Sequence, residues 1–230
     1  TAGRGNYNFV LQAGRNGDDD FWEDEPEDEE EFENMLRTQS PGFQFIIQLQ
    51  HITDPPVWRR VVVPSHYSFK YFHSILQDVF GWNDFHLYSF SPQGYDSYPM
   101  IQEAEGLEES DATMEPAQTQ LGDIFTQEKQ TFTYIYDCGD SWSHLITLEK
   151  ILPEKISRPI CIDGAGQCPP EDCGGVSGFE HLKAVLANPG DPEHEEMRDW
   201  LDLDEDDDWD PNLFNLQEAD DLLVRYFSLD

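Results

Sequence analysis

The segment around residue 140 combines acidic and imidazole side chains at a spacing that suits acid–base or metal chemistry. Asp137, Asp140 and His144 lie together in YDCGDSWSH, and His86 lies in an earlier predicted strand. Residues four apart on a strand share a face, so Asp140 and His144 are expected to point the same way. With His86 and Asp137 they would form a catalytic acid–base group or a divalent-metal cluster. The alternative is structural: the aspartates bond to their own turn, and His144 fills a strand face.

A second candidate site is a loop rich in glycine, proline and aspartate. It contains three of the four cysteines of the chain: Cys161, Cys168 and Cys173. Zinc takes four ligands, and His144, Cys138 or Asp172 would supply the fourth. The spacings C-x6-C and C-x4-C differ from the usual C-x2-C knuckle, so plain packing of buried thiols is an open alternative. A Cys161–Cys168 disulfide is a third, if the protein leaves the reducing compartment.

Motifs of several other site classes are missing from the sequence. There is no G-x-S-x-G nucleophile elbow and no G-x-x-x-x-G-K phosphate loop. HEEMR places Arg198 where a zinc protease needs its second histidine. The acidic run after Asp204 has Trp209 where a calcium loop needs glycine.

Arg59 and Arg60 are an adjacent basic pair in a predicted strand. Neighbouring strand residues point to opposite faces, so one of the two is expected to project inward. A buried arginine needs a partner, and Asp140 is the predicted one. This structural ion pair is favoured over nucleic-acid contact, because no basic patch or stacking platform surrounds the pair.

Regular structure is predicted to begin near Phe43, where apolar residues alternate with mostly polar ones through Leu49. VWRRVVV (57–63) is the next predicted strand. An apolar stripe at helical spacing follows Ser68 and ends at Gly81. The remaining predicted elements before residue 151 are a strand at 86–90, a loop at 102–119, and a hairpin of strands 131–137 and 142–150.

Three helices are predicted after residue 176 from their N-terminal residues. Their expected N-caps are Ser177, Asp191 and Asn215. Early strands, one helix between them and late helices predict an α+β fold with a mainly antiparallel sheet and a C-terminal group of helices.

The charge of the chain is strongly negative. Its 230 residues carry a net charge of −35. Residues 1–40 form a predicted acidic, largely disordered arm, and residues 41–230 a single domain with an acidic segment at 202–210. Acidic residues interleaved with aromatic ones can dock onto a basic partner, and the arm offers Phe21, Trp22 and Phe32. A solubilising linker is the alternative.

The negative charge also restricts the kinds of partner that the protein is expected to bind. Phosphate backbones and anionic lipids repel so acidic a chain, so neither direct nucleic-acid binding nor membrane binding is expected. Four cysteines are too few for a disulfide scaffold, which favours an intracellular compartment. The oligomeric state is left open.

Four segments in order carry a family resemblance: PPVWRRVVVP (55–64), GWNDFHLYSF (81–90), YDCGDSWSHLITLEK (136–150) and CIDGAGQCPPEDCGG (161–175). Over residues 43–225 the chain resembles the plasmid pRiA4b ORF-3-like family, whose members are also labelled TnpR-type passenger proteins of an insertion element. The resemblance implies a small α+β domain without an assigned activity. The family usually has an aromatic residue at position 138 and often valine at 173, so chemistry requiring Cys138 or Cys173 would be private to this protein.

Three functions are consistent with these features. The first is a non-enzymatic interaction module whose acidic surface and arm engage a basic protein partner. The second is a metal-dependent enzyme acting on nucleic acid or nucleotides, with zinc as a candidate cofactor. The third is a nucleic-acid mimic, which would need ordered rows of carboxylates on the folded domain.

Overall fold

A computed structural model describes residues 39–103, 112–204 and 206–226. Most of the acidic arm, with Phe21, Trp22 and Phe32, lies outside the described residues. In these ranges eight strands form one sheet in the order β5-β4-β3-β6-β7-β1-β2-β8. Every neighbouring pair is antiparallel except β4 and β5. The α+β class with a mainly antiparallel sheet is therefore confirmed.

The bounds of the elements follow the chain. The strands are β1 (Ser40–Thr53), β2 (Pro56–Pro64), β3 (Tyr88–Ser91), β4 (Met100–Ile101), β5 (Thr113–Met114), β6 (Thr131–Tyr136), β7 (Trp142–Ile156) and β8 (Ile160–Ala165). The helices are α1 (Phe69–Phe80), α2 (Leu121–Ile124), α3 (Gly175–Leu186), α4 (His194–Trp200) and α5 (Leu216–Leu222), which continues into a 3-10 turn, Leu223–Tyr226. None of the described helices is long and apolar enough to cross a membrane.

The core lies between α1 and one face of the sheet. The alternation predicted for β1 is confirmed, because Phe45 and Ile47 are fully buried. The Ser68 side chain accepts a hydrogen bond from the Tyr71 backbone at the start of α1, and Gly81, at φ 84°, ends the helix as predicted. Aromatic side chains dominate the contact: the Phe45 and Phe72 rings lie 5.1 Å apart.

The helix starts near the C-terminus are only partly as predicted. Asn215 accepts hydrogen bonds from the backbones of Gln217 and Glu218, which confirms it as the N-cap of α5. Ser177 is not a cap: α3 already begins at Gly175, and the Ser177 hydroxyl donates to the Gly174 carbonyl.

Asp191, the second predicted N-cap, is not the N-cap of α4. Its carboxylate accepts a hydrogen bond from the Glu193 backbone and so stabilises the turn that precedes the helix.

Within the described residues of the predicted loop at 102–119, Thr113 and Met114 form the short strand β5, which pairs with β4. The strand predicted at 86–90 covers 88–91 instead, because His86 belongs to the loop that leads into β3. This shift by two residues frees His86 from the sheet ladder.

Arg59 and Arg60 point to opposite faces of β2, as predicted. Arg59 is the one that points inward, but it does not form the predicted ion pair with Asp140. Its guanidinium group donates to four backbone carbonyls, those of Trp58, Val79, Ala165 and Gly166. The Phe214 and Phe80 rings lie 4.1 and 5.1 Å from the guanidinium carbon. Burial lowers the pKa of Arg59 to about 10, which leaves it charged at neutral pH.

Candidate metal centre

Three segments that are distant in sequence meet at one end of β6. The loop between α1 and β3 supplies His86, and the turn after β6 supplies Asp137. The loop between β8 and α3 supplies Glu171 and Asp172. The hydrogen bond from the Asp137 backbone to the Leu87 carbonyl, 3.0 Å, joins the first two segments.

The imidazole Nε2 of His86 lies at the centre of this group. It is 3.7 Å from Asp137 Oδ2 and 3.4 Å from Asp172 Oδ1. Glu171 Oε2 lies 3.9 Å from the same nitrogen. Among the described residues, His86, Asp137 and Asp172 are the one group of three histidine, cysteine or acidic side chains whose ligand atoms lie within 4.8 Å of one another.

Two carboxylates of the group are held by one oxygen and expose the other to His86. Glu171 Oε1 accepts from the Tyr136 hydroxyl and from the Asn83 backbone, both at 2.9 Å. Asp137 Oδ1 accepts from the Gly139 backbone at 2.7 Å. The second oxygens are the ones that approach His86. Protein donors thus orient both groups and leave one oxygen of each for another ligand.

Burial makes this arrangement costly without a ligand. His86 Nε2 and Glu171 Oε2 are both buried and have no hydrogen-bond partner among the described residues. The Asp137 side chain is only 8% exposed, whereas that of Asp172 is 72% exposed. Buried polar atoms normally have partners, so these two mark a position where a cation fits. The site is open to solvent on the side of Asp172.

The loop that carries His86 is held at nearly every residue. The Trp82 indole donates to the Pro169 carbonyl at 2.9 Å, and the Asp84 backbone donates to the Gln77 side chain at 2.9 Å. The Phe85 backbone donates to the Tyr136 hydroxyl at 3.1 Å. His86 is therefore presented by a rigid loop, which reduces the entropy lost when a ligand binds.

A buried network beneath the loop adds to this support. Gln77 donates to the Tyr134 hydroxyl at 2.9 Å, so that hydroxyl donates its own proton to Nδ1 of His73 at 2.8 Å. His73 is then protonated on Nε2, which lies 2.7 Å from the Asp84 carboxylate. The network ties α1, β6 and the loop together, and it uses His73 as a structural residue.

A family model described as plasmid pRiA4b ORF-3-like protein matches residues 41–218. The chain belongs to this family. The match confirms the resemblance carried by the four sequence segments, three of which contribute residues to the candidate metal centre: 81–90, 136–150 and 161–175.

Two relatives extend the comparison. The uncharacterized protein y4hQ of Sinorhizobium fredii (strain NBRC 101917 / NGR234) is 31% identical over 186 residues, which cover 78% of this chain and 91% of the relative. The crystal structure of MM3350, a protein of unknown function from Methanosarcina mazei Go1, is also similar to this chain. The two chains are 32% identical in sequence, and their superposition has a TM-score of 0.67. The match covers 79% of this chain and 97% of the MM3350 chain.

In this family member the structure brings together only part of the predicted acid–histidine cluster. His86 and Asp137 meet, but Asp140 lies outside the group of ligand atoms. The β7 strand begins at Trp142, so Asp140 belongs to the turn and shares no strand face with His144. Its carboxylate accepts from the Gly174 backbone at 3.1 Å and so holds two site loops together.

The structure places His144 in the core, apart from the group formed by His86, Asp137 and Asp172. Its side chain is completely buried, with the Phe80 and Trp82 rings 4.9 and 5.3 Å away. Its Nδ1 lies 3.1 Å from the Trp142 carbonyl, to which it donates. Burial lowers the pKa of His144 to about 3. The imidazole is therefore neutral and packs in the core, in agreement with the alternative that His144 fills a strand face.

This burial predicts a pH-dependent stability. The unfolded chain binds a proton at His144 near pH 6.5, whereas the folded chain does so only near pH 3. Stability is therefore complete above pH 6.5 and falls as the pH drops from 6.5 towards 3. At pH 5 the loss amounts to about 2 kcal/mol. Urea unfolding at pH 7 and pH 5 is expected to show this loss in the parent protein and not in His144→Leu.

The exposed His181 provides the control, because His181→Leu should retain the pH dependence of the parent protein. Identical pH dependence in His144→Leu and the parent would contradict the assignment.

The predicted zinc site of Cys161, Cys168 and Cys173 with His144 is not assembled. The three thiols do not form a ligand group, and all four cysteines are free. Cys161 lies in β8, and its backbone donates to Asp220 on α5, away from Cys173 at the other end of the loop. Burial raises the pKa of Cys161 to about 11 and of Cys173 to about 12, so both stay protonated thiols.

No sequence pattern singles out Glu171, and Asp172 is predicted only as a possible fourth ligand of the cysteine site. Both lie in a loop without periodicity, after two prolines. Adjacent acidic residues between Pro170 and Cys173 were the one available signal. Their approach to His86 depends on how the loop packs against Trp82 and Tyr136.

Proposed function

We propose that the protein binds a divalent metal ion between His86, Asp137, Glu171 and Asp172. The observation that carries the proposal is the pair of buried, unpartnered atoms, His86 Nε2 and Glu171 Oε2, 3.9 Å apart. A cation placed among these atoms would give each of them a partner. It would also offset the repulsion between three neighbouring carboxylates.

The chemistry of the donors favours a particular kind of ion. One imidazole nitrogen and three carboxylates suit Mn²⁺, Fe²⁺ or Zn²⁺ better than a soft metal that prefers thiolates. The majority of oxygen donors favours Mn²⁺ among them. Four protein ligands leave coordination positions of such an ion open, and the exposed Asp172 places them towards solvent.

The test is a titration of chelator-treated protein with Mn²⁺, Zn²⁺, Mg²⁺ and Ca²⁺ in a calorimeter. We expect one Mn²⁺ or Zn²⁺ per chain, with weaker binding of Mg²⁺ and Ca²⁺. At an ion concentration about 100 times Kd, binding adds about 2.7 kcal/mol to the free energy of unfolding. This corresponds to a rise in melting temperature of about 5–10 °C. Failure of all four ions to bind at millimolar concentration would refute the proposal.

A metal-dependent enzyme is a natural extension of this site. An ion held there with open positions would lower the pKa of coordinated water and polarise substrate oxygens. The nucleic-acid substrate expected from mobile-element association fits less well. Asp84, Asp140 and the three acidic ligands surround the site, and a divalent ion offsets only part of their charge, so a polyphosphate would be repelled.

A second candidate function is the docking of a basic protein partner. The observation that favours it is the exposure of apolar side chains in the acidic C-terminal part: Trp200 at 48%, Leu213 at 47% and Leu222 at 48%. The acidic segment 202–210 lies between the first two. Charge would speed the encounter with a basic surface, and the apolar side chains would be buried in the contact.

A fluorescein-labelled amphipathic peptide of lysine and leucine is the probe for this function. We expect its anisotropy to rise with added protein, less so at high salt, and less for Trp200→Ser than for the control Ile151→Ser on β7. Equal binding by both variants would exclude this surface.

A further inference from the structure

A cavity of about 320 Å³ lies between α1 and the loop that leads into β3. His86 forms part of its wall, so the cavity borders the candidate metal centre. Its volume is at the lower end of the range of small-molecule sites in proteins. The residues around it differ in kind, and their chemistry restricts what it can hold.

One part of the wall is apolar and exposed. Phe85 and Leu87 are 72% and 70% exposed, and they flank His86 in the chain. Hydrogen bonds of the Phe85 N–H and the Leu87 carbonyl fix the backbone from which the two side chains project. Exposed apolar groups on a rigid loop are characteristic of ligand and partner contacts.

Tyr88 supplies a second, independent feature. Its ring stacks on His73 with centroids 3.6 Å apart and an angle of 7° between the planes. Its hydroxyl is buried and has no hydrogen-bond partner among the residues that the structure describes. Burial, with the nearby Glu103 and Asp84 carboxylates, raises the pKa of this phenol, so the hydroxyl stays neutral. A ligand in the cavity can satisfy it.

The charge of the wall is negative on balance. Asp84 and Glu103 carry two negative charges, and Lys70 is the one lysine or arginine among the lining residues that the structure describes. The acidic ligands of the candidate metal centre lie behind His86. A cation is therefore attracted into the cavity and an anion of the same shape is repelled. Aromatic faces in the wall add to the attraction for an ammonium group.

We infer that this cavity binds a small primary amine that carries an aromatic or other apolar group. The ammonium group lies towards Asp84 and Glu103, and the apolar group contacts Phe85 and Leu87. The Tyr88 hydroxyl provides a hydrogen bond at the inner end. The inference does not rest on metal binding, because none of these contacts needs the ion.

The test compares 2-phenylethylamine with phenylacetate, which share a ring and differ in the sign of their charge. Both are titrated into the full chain in the presence of chelator and followed by calorimetry or NMR. We expect the amine to bind with a Kd at least about tenfold lower than that of phenylacetate. Equal affinities, tighter binding of phenylacetate, or no binding of the amine would each overturn the inference.

Two variants test the contacts separately. Glu103→Gln is expected to weaken binding of the amine, because the substitution removes only a negative charge. Binding of phenylacetate should stay unchanged or become slightly tighter. Phe85→Ser is expected to weaken binding of both probes, since it removes the apolar contact that they share. Ile151→Ser, at an exposed apolar residue on β7, is the control and should leave both affinities unchanged. An amine affinity that neither Glu103→Gln nor Phe85→Ser reduces would place its binding elsewhere and overturn the inference.

Discussion

Asp137→Asn is expected to bind Mn²⁺ about 100-fold more weakly than the parent protein, and His86→Ala is expected to lose measurable binding. Asparagine keeps the oxygen that accepts from the Gly139 backbone at 2.7 Å, so the turn after β6 stays intact. It removes the negative charge from the oxygen that faces His86. Alanine at position 86 removes the only nitrogen donor of the proposed site. Calorimetric titration of each variant measures the effect.

The matched control is His181→Ala. His181 also contacts a carboxylate, Glu193, at 2.7 Å, but both side chains are about half exposed. Its removal should leave Mn²⁺ affinity unchanged. Equal losses in His181→Ala and His86→Ala would mean that the ion binds histidine non-specifically.

A stability measurement without metal separates a binding role from a structural one. Three carboxylates lie within 4 Å of His86 Nε2, and no lysine or arginine of the described residues forms an ion pair with them. Removing one charge relieves repulsion, so metal-free Asp137→Asn should be at least as stable to urea as the parent protein. A purely structural Asp137 predicts the opposite, a loss of stability in this variant.

Arg59→Ala is expected to lower the free energy of unfolding by about 3 kcal/mol or more. The substitution leaves four carbonyl groups without their charged donor, and buried acceptors without partners are costly. It also removes the side chain that fills the space between Phe80 and Phe214. Urea denaturation followed by tryptophan fluorescence measures the loss.

The neighbouring arginine is the control. Arg60 forms ion pairs with Glu149 at 2.7 Å and Asp163 at 2.8 Å on the outer face of β2, where its side chain is 24% exposed. Partly exposed ion pairs contribute little, so Arg60→Ala should cost no more than about 1 kcal/mol. Similar losses of unfolding free energy in the two variants would show that burial of Arg59 does not increase its contribution to stability.

The sequence was a good guide to β1, α1 and the pair Arg59 and Arg60, where a local pattern decides the outcome. Alternation placed the β1 side chains correctly, and Ser68 and Gly81 delimit α1 as expected. The same alternation turned one of two adjacent arginines inward. The capping pattern failed at Ser177, because the left-handed Gly174 lets α3 begin three residues earlier than that pattern predicts.

The candidate site shows where such rules end. Residue types single out His86, Asp137 and His144, but the structure brings only the first two together. The position of His144 on β7 directs it into the core beneath Phe80, on the face that it shares with Trp142, Ile146 and Leu148. Three cysteines in one loop suggested zinc, yet β8 pairs with β2 and carries Cys161 away from Cys173.

The sequence by itself determined the family, the α+β class, the main strands and helices, and the residue types from which a metal site is built. Only the tertiary structure decided which of them meet. Glu171 and Asp172 reach His86 across more than 80 positions of chain, because the Trp82 indole binds the Pro169 carbonyl and the Tyr136 hydroxyl binds Glu171. Such contacts depend on how loops pack on a completed sheet, and no local pattern encodes that packing.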